Sequence, residues 1–300
     1  MDQKLYIGVD VGGTKMIASL IDAESRILKT AQTFTEAKLG KAVVMVKMHE
    51  IIREIWDTNV SGIGVGFAGL TDTKQGILIK APNFPEDLQN IIIAQEIESE
   101  FSVPVKIEND VNCFALAEAK VGAGLGKDII FGLTLGTGVG GGLIIDGKPY
   151  QGANGAAGEI GHTTIDFNSQ QICGCGKFGH LESLASGSAL IRMCKDIPNK
   201  PSNAEEIVKL AKNGDRIAIS TIKTFQKALE IGFLNIIYTY NPDIVVVGGG
   251  VSETTEIWEP AAKNASIELI FPSLKTTKIV KSELGIHANV IGAALLCINC

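Results

Sequence analysis

Apolar residues along this chain recur with two different periods. Short runs of strand length, bounded by Gly, Asp or Asn, occur at 5–9, 16–21, 63–67, 105–107, 129–135 and 244–247, and they predict β-strands. Val44, Met48, Ile51, Ile52 and Ile55 recur at helical spacing, as do Ile222, Phe225, Leu229, Phe233 and Ile236, so an amphipathic helix is expected in each stretch. The mixture predicts an α/β chain with a hairpin near the start of each half.

The two hairpins resemble each other. IGVDVGGTKMIASLID (7–22) aligns with FGLTLGTGVGGGLIID (131–146). Gly8 matches Gly132, Gly12 matches Gly136 and Asp22 matches Asp146, all at an offset of 124 residues. Val9 with Leu133, Val11 with Leu135 and Leu20 with Ile144 continue the match. Each copy reads as strand, glycine turn, strand. Two readings are open: a chance likeness between glycine-rich hairpins, or a duplicated fold.

Gly136, Gly138 and Gly141 also spell a dinucleotide-binding fingerprint, but that motif needs a helix after its glycines. Leu143 to Pro149 instead forms a short β-type run ending in a turn. Glycine turns can aim backbone N–H groups at an anion, and two facing each other would clamp a polyphosphate. A third glycine element, DIVVVGGGVSE (243–253), reads as a strand, three glycines and a helix start with Ser252 as N-cap. Its glycines would let a flat purine lie against the backbone; a tight strand-to-helix turn needs glycine in any case.

Composition narrows the class. Three hundred residues suggest about two domains. Hydrophobic residues make up 45%, charged residues 20%, and the net charge is −6; an acidic chain without a basic run argues against nucleic acid as a partner. No apolar stretch reaches membrane-span length, and the first residues enter a strand at once, so neither a membrane span nor a signal peptide is expected. The six cysteines, Cys113, Cys173, Cys175, Cys194, Cys297 and Cys300, are then read as thiols in a reducing, cytoplasmic setting. Cys297 and Cys300 form a terminal C-x-x-C with no partner cluster and are read as incidental.

In this order, the three glycine elements resemble the phosphate-1, phosphate-2 and adenosine segments of the actin-like ATPase superfamily. More narrowly, the chain resembles the ROK (repressor, open reading frame, kinase) family. The motifs are DVGGTK (10–15), APN (81–83), END (108–110), GTGVGGG (136–142), GANGAAGEIGH (152–162), CGCGKFGHLE (173–182) and VVGGGVS (246–252). The resemblance implies two ribonuclease-H-like domains with an interdomain cleft, ATP between them and sugar at the cleft base. The first would span 1–115 and regain the C-terminal helix at 290–300; the second would fill 116–289 and carry a zinc-binding insert. ROK repressors carry a winged helix before this core, and the early first strand leads to the kinase branch.

The chemistry follows residue by residue. Phosphoryl transfer needs a base at the acceptor hydroxyl, donors around the phosphates and a cation. Asp110, after the 105–107 strand and at a helix start, reads from the sequence either as an N-cap or as that base; the resemblance makes it the catalytic aspartate. It also implies sugar contacts from Asn83, Asn109, Asp110, Glu159, His162 and Glu182. Nucleotide contacts would come from Asp10, Gly12, Gly13, Thr14, Lys15, Gly136, Thr137, Gly138, Gly248, Gly249 and Gly250. Asp10 would act on Mg²⁺–ATP through a coordinated water; as a bare turn residue it could instead bond its own backbone. Cysteine and histidine suit tetrahedral zinc, and His162, Cys173, Cys175 and His180 make a candidate four-ligand structural Zn²⁺ site. The family's site has three cysteines, and His180 stands where the third would be.

The resulting expectation is an ATP- and Mg²⁺-dependent kinase acting on the 6-hydroxyl of a hexose, glucose first, working as a homodimer or higher homo-oligomer. The alternatives are an N-acetylmannosamine or N-acetylglucosamine kinase and, from other classes, a sugar-sensing regulator without turnover or a Rossmann oxidoreductase.

Overall fold

The computed structural model describes residues 4–82 and 84–298. The described chain is α/β and divides into two compact units. The first holds the described residues up to Gly126, then Gly147–Ala157, then those from Ile286 onward; the second holds Lys127–Asp146 and Gly158–Gly285. A division at 115 would have cut the helix Asp110–Val121; the chain leaves the first unit only at Gly126. The residues at the four crossings, Gly126, Gly147, Gly158 and Gly285, all have left-handed φ, between 53° and 91°.

The first unit is built on a five-stranded sheet in the order Ile27–Phe34, Lys15–Asp22, Leu5–Val11, Val60–Phe67, Val105–Asn109. The first three run antiparallel, and the last three are parallel. Ile7, Val9, Ile63 and Phe67 are buried with Met48 and Ile52 of the helix Lys41–Glu54 in one apolar core, as the helical spacing predicts. The strand Ile27–Phe34 was not legible, because its polar residues Lys29, Thr30 and Gln32 break the apolar run on an exposed sheet edge.

In the second unit the order is Val139–Ile145, Ile129–Leu135, Ile244–Gly248, Lys278–Lys281, again a hairpin followed by parallel strands. Phe225, Leu229, Phe233 and Ile236 of the 25-residue helix Arg216–Tyr240 pack into its core with Phe131 and Trp258. Asp215 caps that helix by accepting the Ala218 N–H at 2.9 Å. Among the described residues no helix is long and apolar enough to cross a membrane.

Both units therefore start with the hairpin that the repeat predicts, but the alignment needs one correction. Val11 pairs with Met16 in the first hairpin, whereas Leu135 pairs with Val139 in the second. The second turn is one residue shorter, and a one-residue shift reverses which face each later side chain occupies. Ile7 pairs with Leu20; its counterpart Phe131 pairs with Leu143, not with Ile144. The match of Leu20 with Ile144 is thus a likeness of letters on opposite faces.

The C-terminal helix Ala288–Ile298 lies against the first sheet with backbone touching backbone. A Cβ on Gly8 would overlap the Val290 carbonyl, and one on Gly64 the Ala293 carbonyl. Gly8 and Gly64 are partners on adjacent parallel strands. On the far side of the helix, a Cβ on Gly292 would overlap the carbonyl of Cys113. Overpacking of this kind costs roughly 1–3 kcal/mol or more, and the obstructing atoms here are backbone. Gly64→Ala should therefore lower the midpoint of urea unfolding well beyond the effect of Gly136→Ala, where φ is not left-handed and no atom lies within 4 Å of the new Cβ. Equal effects would disprove the packing argument.

Candidate active site

In the first unit, the strand Val105–Asn109 runs directly into the helix Asp110–Val121. Asn109 is the N-cap. Its Oδ1 accepts the N–H groups of Val111 at 2.8 Å and Asn112 at 3.1 Å, and its Nδ2 donates to the Gly69 carbonyl at 3.0 Å. Asp110 is the first helical residue and half-buried. The structure thus removes one of the two sequence readings of Asp110, since a neighbour performs the capping. It also changes the picture of Asn109, whose carbonyl oxygen is committed to the helix rather than left to a sugar.

Asp10, Gly66 and Glu108 are register partners across three parallel strands, so their side-chain positions share one face of the sheet. The gap at Gly66 is filled from the next helix: a Cβ there would stand 3.2 Å from Cys113 Sγ and 3.6 Å from Asp110 Cα. Burial pushes the Asp10 carboxyl up to about 6, with the Asn289 amide, 3.2 Å from Oδ1, pulling it back. Burial likewise drives the Cys113 thiol well up, reinforced by the charges of Glu108, Asp110 and Asp10. The glycine turn after Asp10 is closed by Gly12 N–H to the Lys15 carbonyl at 3.0 Å, and Thr35 Oγ1 donates to the Gly12 carbonyl at 2.6 Å. Thr14 and Lys15 are exposed, with Lys15 Nζ 6.0 Å from the Phe34 ring centroid. Neither Gly12, Gly13 nor Gly136 has left-handed φ, so strain is no reason for glycine at these positions.

In the second unit, the Gly136 N–H bonds the Gly138 carbonyl at 3.0 Å, and the Gly187 N–H bonds the Gly136 carbonyl at 2.8 Å. Thr137 is exposed at the tip. Gly138 is where Glu182 comes closest: a Cβ would overlap its Oε2, which accepts the Val139 N–H at 3.2 Å. Gly248 ends the strand, Gly249 turns with φ 83° against the Leu135 carbonyl, and Gly250 begins a short 3₁₀ turn. Ser252 is not an N-cap. It donates to the Gly249 carbonyl at 2.7 Å, and the helix starts only at Thr255, because the 3₁₀ turn takes up the residues between.

Glu159 Oε2 lies 3.8 Å from His162 Nε2. Desolvation holds the Glu159 carboxyl above the usual value, with His162 lowering it and Glu182 raising it. His162, Cys173, Cys175 and His180 offer ligand atoms within 4.8 Å of one another. Cys173 Sγ is 3.4 Å from His162 Nδ1, and Cys175 Sγ is 3.4 Å from His180 Nδ1. The loop is pinned by bridges between Thr164 and His180 and between Ile172 and Phe178. Desolvation and the bond to Glu182 Oε1 push the Cys173 thiol up to about 12, so a cation binding there must displace its proton. Two sulfurs and two imidazoles in this spacing fit a four-coordinate soft or borderline metal. Asn83 and Cys300 lie outside the described residues.

The model of the ROK family matches residues 6–299. The chain belongs to the ROK family. It is 34% identical to a glucokinase from Thermotoga maritima over 98% of this chain and 97% of that protein. It is 30% identical to an N-acetyl-D-glucosamine kinase from Citrobacter koseri over 97% and 99%. The crystal structure of a ROK family glucokinase from Streptomyces griseus in complex with glucose and AMPPNP is 31% identical, with a TM-score of 0.83 over 98% and 99% of the two chains. The α/β fold is that of the ROK actin-like ATPases.

Three polar residues of this ROK chain were given no role by the sequence reading: Asn289, which donates to Asp10, and Glu108, the first residue of the END stretch, with Gln151, which donates to it at 2.6 Å. Asn289 is 279 residues from its partner, and no local pattern announces such a pair. The cap at Asn109 was missed as well, the N-cap reading having fallen on Asp110, although Asn is itself a strong N-cap.

Replacing Asn109 tests its placement. Asn109→Ala removes a cap that accepts two N–H groups and should cost about 1 kcal/mol or more, whereas Asn109→Ser keeps a capping oxygen and loses the donor to Gly69. Urea unfolding at pH 7 should rank Asn109→Ser above Asn109→Ala, and the reverse order would show that the cap does not carry the stability.

Proposed function

We propose that this chain is an ATP- and Mg²⁺-dependent sugar kinase that phosphorylates the 6-hydroxyl of a hexose, with glucose as the first candidate. The observation that carries the reading is the junction at 109–110. Asn109 does the capping, so the N-cap role does not account for the carboxylate next to it. In the proposed reaction, Asp110 accepts the proton of the 6-hydroxyl while its oxygen attacks the γ-phosphorus, and ADP leaves with the bridging electron pair. Glu159, His162 and Glu182, with Asn83 and one N–H of Asn109, would hold the other hydroxyls. The backbone N–H groups of the turns at 12–14 and 136–138 and the side chains of Thr14, Lys15 and Thr137 would hold phosphate, with Gly248, Gly249 and Gly250 against the adenosine. Bound Mg²⁺ would offset the phosphate charge, and the half-buried Asp10 carboxylate would orient one of its waters.

Similarity to a solved glucokinase holding glucose and AMPPNP and to the Thermotoga maritima glucokinase supports glucose and ATP. The near-equal likeness to an N-acetyl-D-glucosamine kinase supports a second reading, with an N-acetylhexosamine as acceptor. A panel of hexoses and N-acetylhexosamines with Mg²⁺–ATP, read by ADP release, separates the two. A sugar-sensing regulator would bind a sugar and release no ADP.

Asp110→Asn tests the base. General-base removal costs about 10²–10⁴ in rate, so kcat should fall at least a hundredfold while calorimetric sugar affinity changes far less. Near-normal turnover would rule out Asp110.

The second proposal is one structural Zn²⁺ held by His162, Cys173, Cys175 and His180. Purified protein should carry about one zinc per chain. His180→Ala should release it and lower both Tm and sugar affinity, since His162 adjoins Glu159; His180→Cys should keep it. Fully active wild-type protein without metal would overturn the assignment.

A further inference from the structure

Glu108 is a buried charge that the proposed reaction does not use. It is 2% exposed, and three donors converge on its carboxylate. One oxygen accepts the Asn109 N–H at 2.8 Å and Asn112 Nδ2 at 3.1 Å; the other accepts Gln151 Nε2 at 2.6 Å. No cation pairs with it among the described residues. Burial raises its pKa while these donors lower it. Gln151 is itself held, since Thr73 Oγ1 donates to its Oε1 at 3.0 Å and the Ala157 N–H to its carbonyl at 3.2 Å.

A buried carboxylate without a cation is a costly way to hold a strand end, and an apolar residue of similar volume is often more stable there. What the charge secures is local. Two of its three donors belong to residues 109 and 112, which flank Asp110 on either side. The third fastens the segment that leads to Glu159. The junction lies beside Gly66, where an added Cβ would press on Cys113 Sγ at 3.2 Å and touch Asp110 Cα at 3.6 Å.

We propose that Glu108, with Gln151 as its clamp, is the positioning residue for Asp110: it fixes the strand-to-helix junction so that the Asp110 carboxylate is presented at one place and angle. The inference rests on Asp110 being the base. Misplacement of a reacting group by about 1 Å can cost on the order of a hundredfold in rate, so the effect belongs in kcat rather than in substrate affinity.

Three variants test this, assayed as the full chain with Mg²⁺–ATP and the best sugar of the panel. Glu108→Leu should lower kcat by about tenfold or more, with sugar and ATP KM within about threefold of wild type. Glu108→Gln should recover most of that loss, because its oxygen can accept from Asn109 and Asn112 while Gln151 turns its amide over to accept the new N–H. Gln151→Leu, which leaves residues 105–112 intact, should lower kcat in the same selective way and stands alone if Glu108→Leu fails to fold. Unchanged kcat in Gln151→Leu and in any folded Glu108→Leu would overturn the proposal. So would a parallel loss of kcat, both affinities and Tm, or a Glu108→Gln no better than Glu108→Leu. Retained turnover in Asp110→Asn would instead remove the base reading itself.

Discussion

The first unit depends on how closely one helix approaches one sheet. The helix Ala288–Ile298 meets the strands at Gly8 and Gly64 and the helix Asp110–Val121 through Gly292. At each of these positions a single methyl group would collide with a carbonyl, so the spacing of three layers is set by missing side chains. Two consequences reach the candidate site. Asn289, in the first turn of that helix, comes within hydrogen-bonding distance of Asp10. The Cys113 backbone is pressed against Gly292 while its sulfur fills the gap over Gly66, which fixes the first turn carrying Asp110. Glycine here acts through volume, not through backbone freedom.

That distinction explains much of what the sequence could and could not disclose. The glycine-rich turns were legible as turns, and the strands around them as strands, because period and composition are local properties. The duplicated hairpin was legible for the same reason. Its register was not, because one residue more or less in a turn leaves the lettering of the strand intact while reversing its faces. Leu143 and Ile144 are both buried, so no polar residue marks which of them faces the core that Phe131 faces.

The candidate site divides along similar lines. The four Cys and His residues stood out because such a cluster is uncommon in a 300-residue chain with four histidines, and Asp110 stood out only through the END match to the ROK family. The supporting residues did not. A lone glutamate before an asparagine looks like a solvated charge, and only the fold shows that Glu108 is buried with Asn112 and Gln151 around it. Ser252 shows the converse: a serine before a helix looks like a cap, yet its hydroxyl turns back to Gly249.

Glu182 joins features that look separate along the chain. Its carboxylate accepts the N–H of Val139, next to the glycine turn, as well as the N–H of Gly174 and the thiol of Cys173 in the metal-candidate loop. Gly138 is glycine partly to admit this side chain, so a turn read for phosphate also serves a carboxylate. The same group raises the pKa of Glu159 and of Cys173. A change of charge in the Cys/His loop is therefore felt at Glu182 directly, and through Glu182 at both the turn and Glu159. Within the second unit the metal-candidate loop is a neighbour of the proposed sugar contacts by hydrogen bonds, which is a closer relation than a remote structural brace would have.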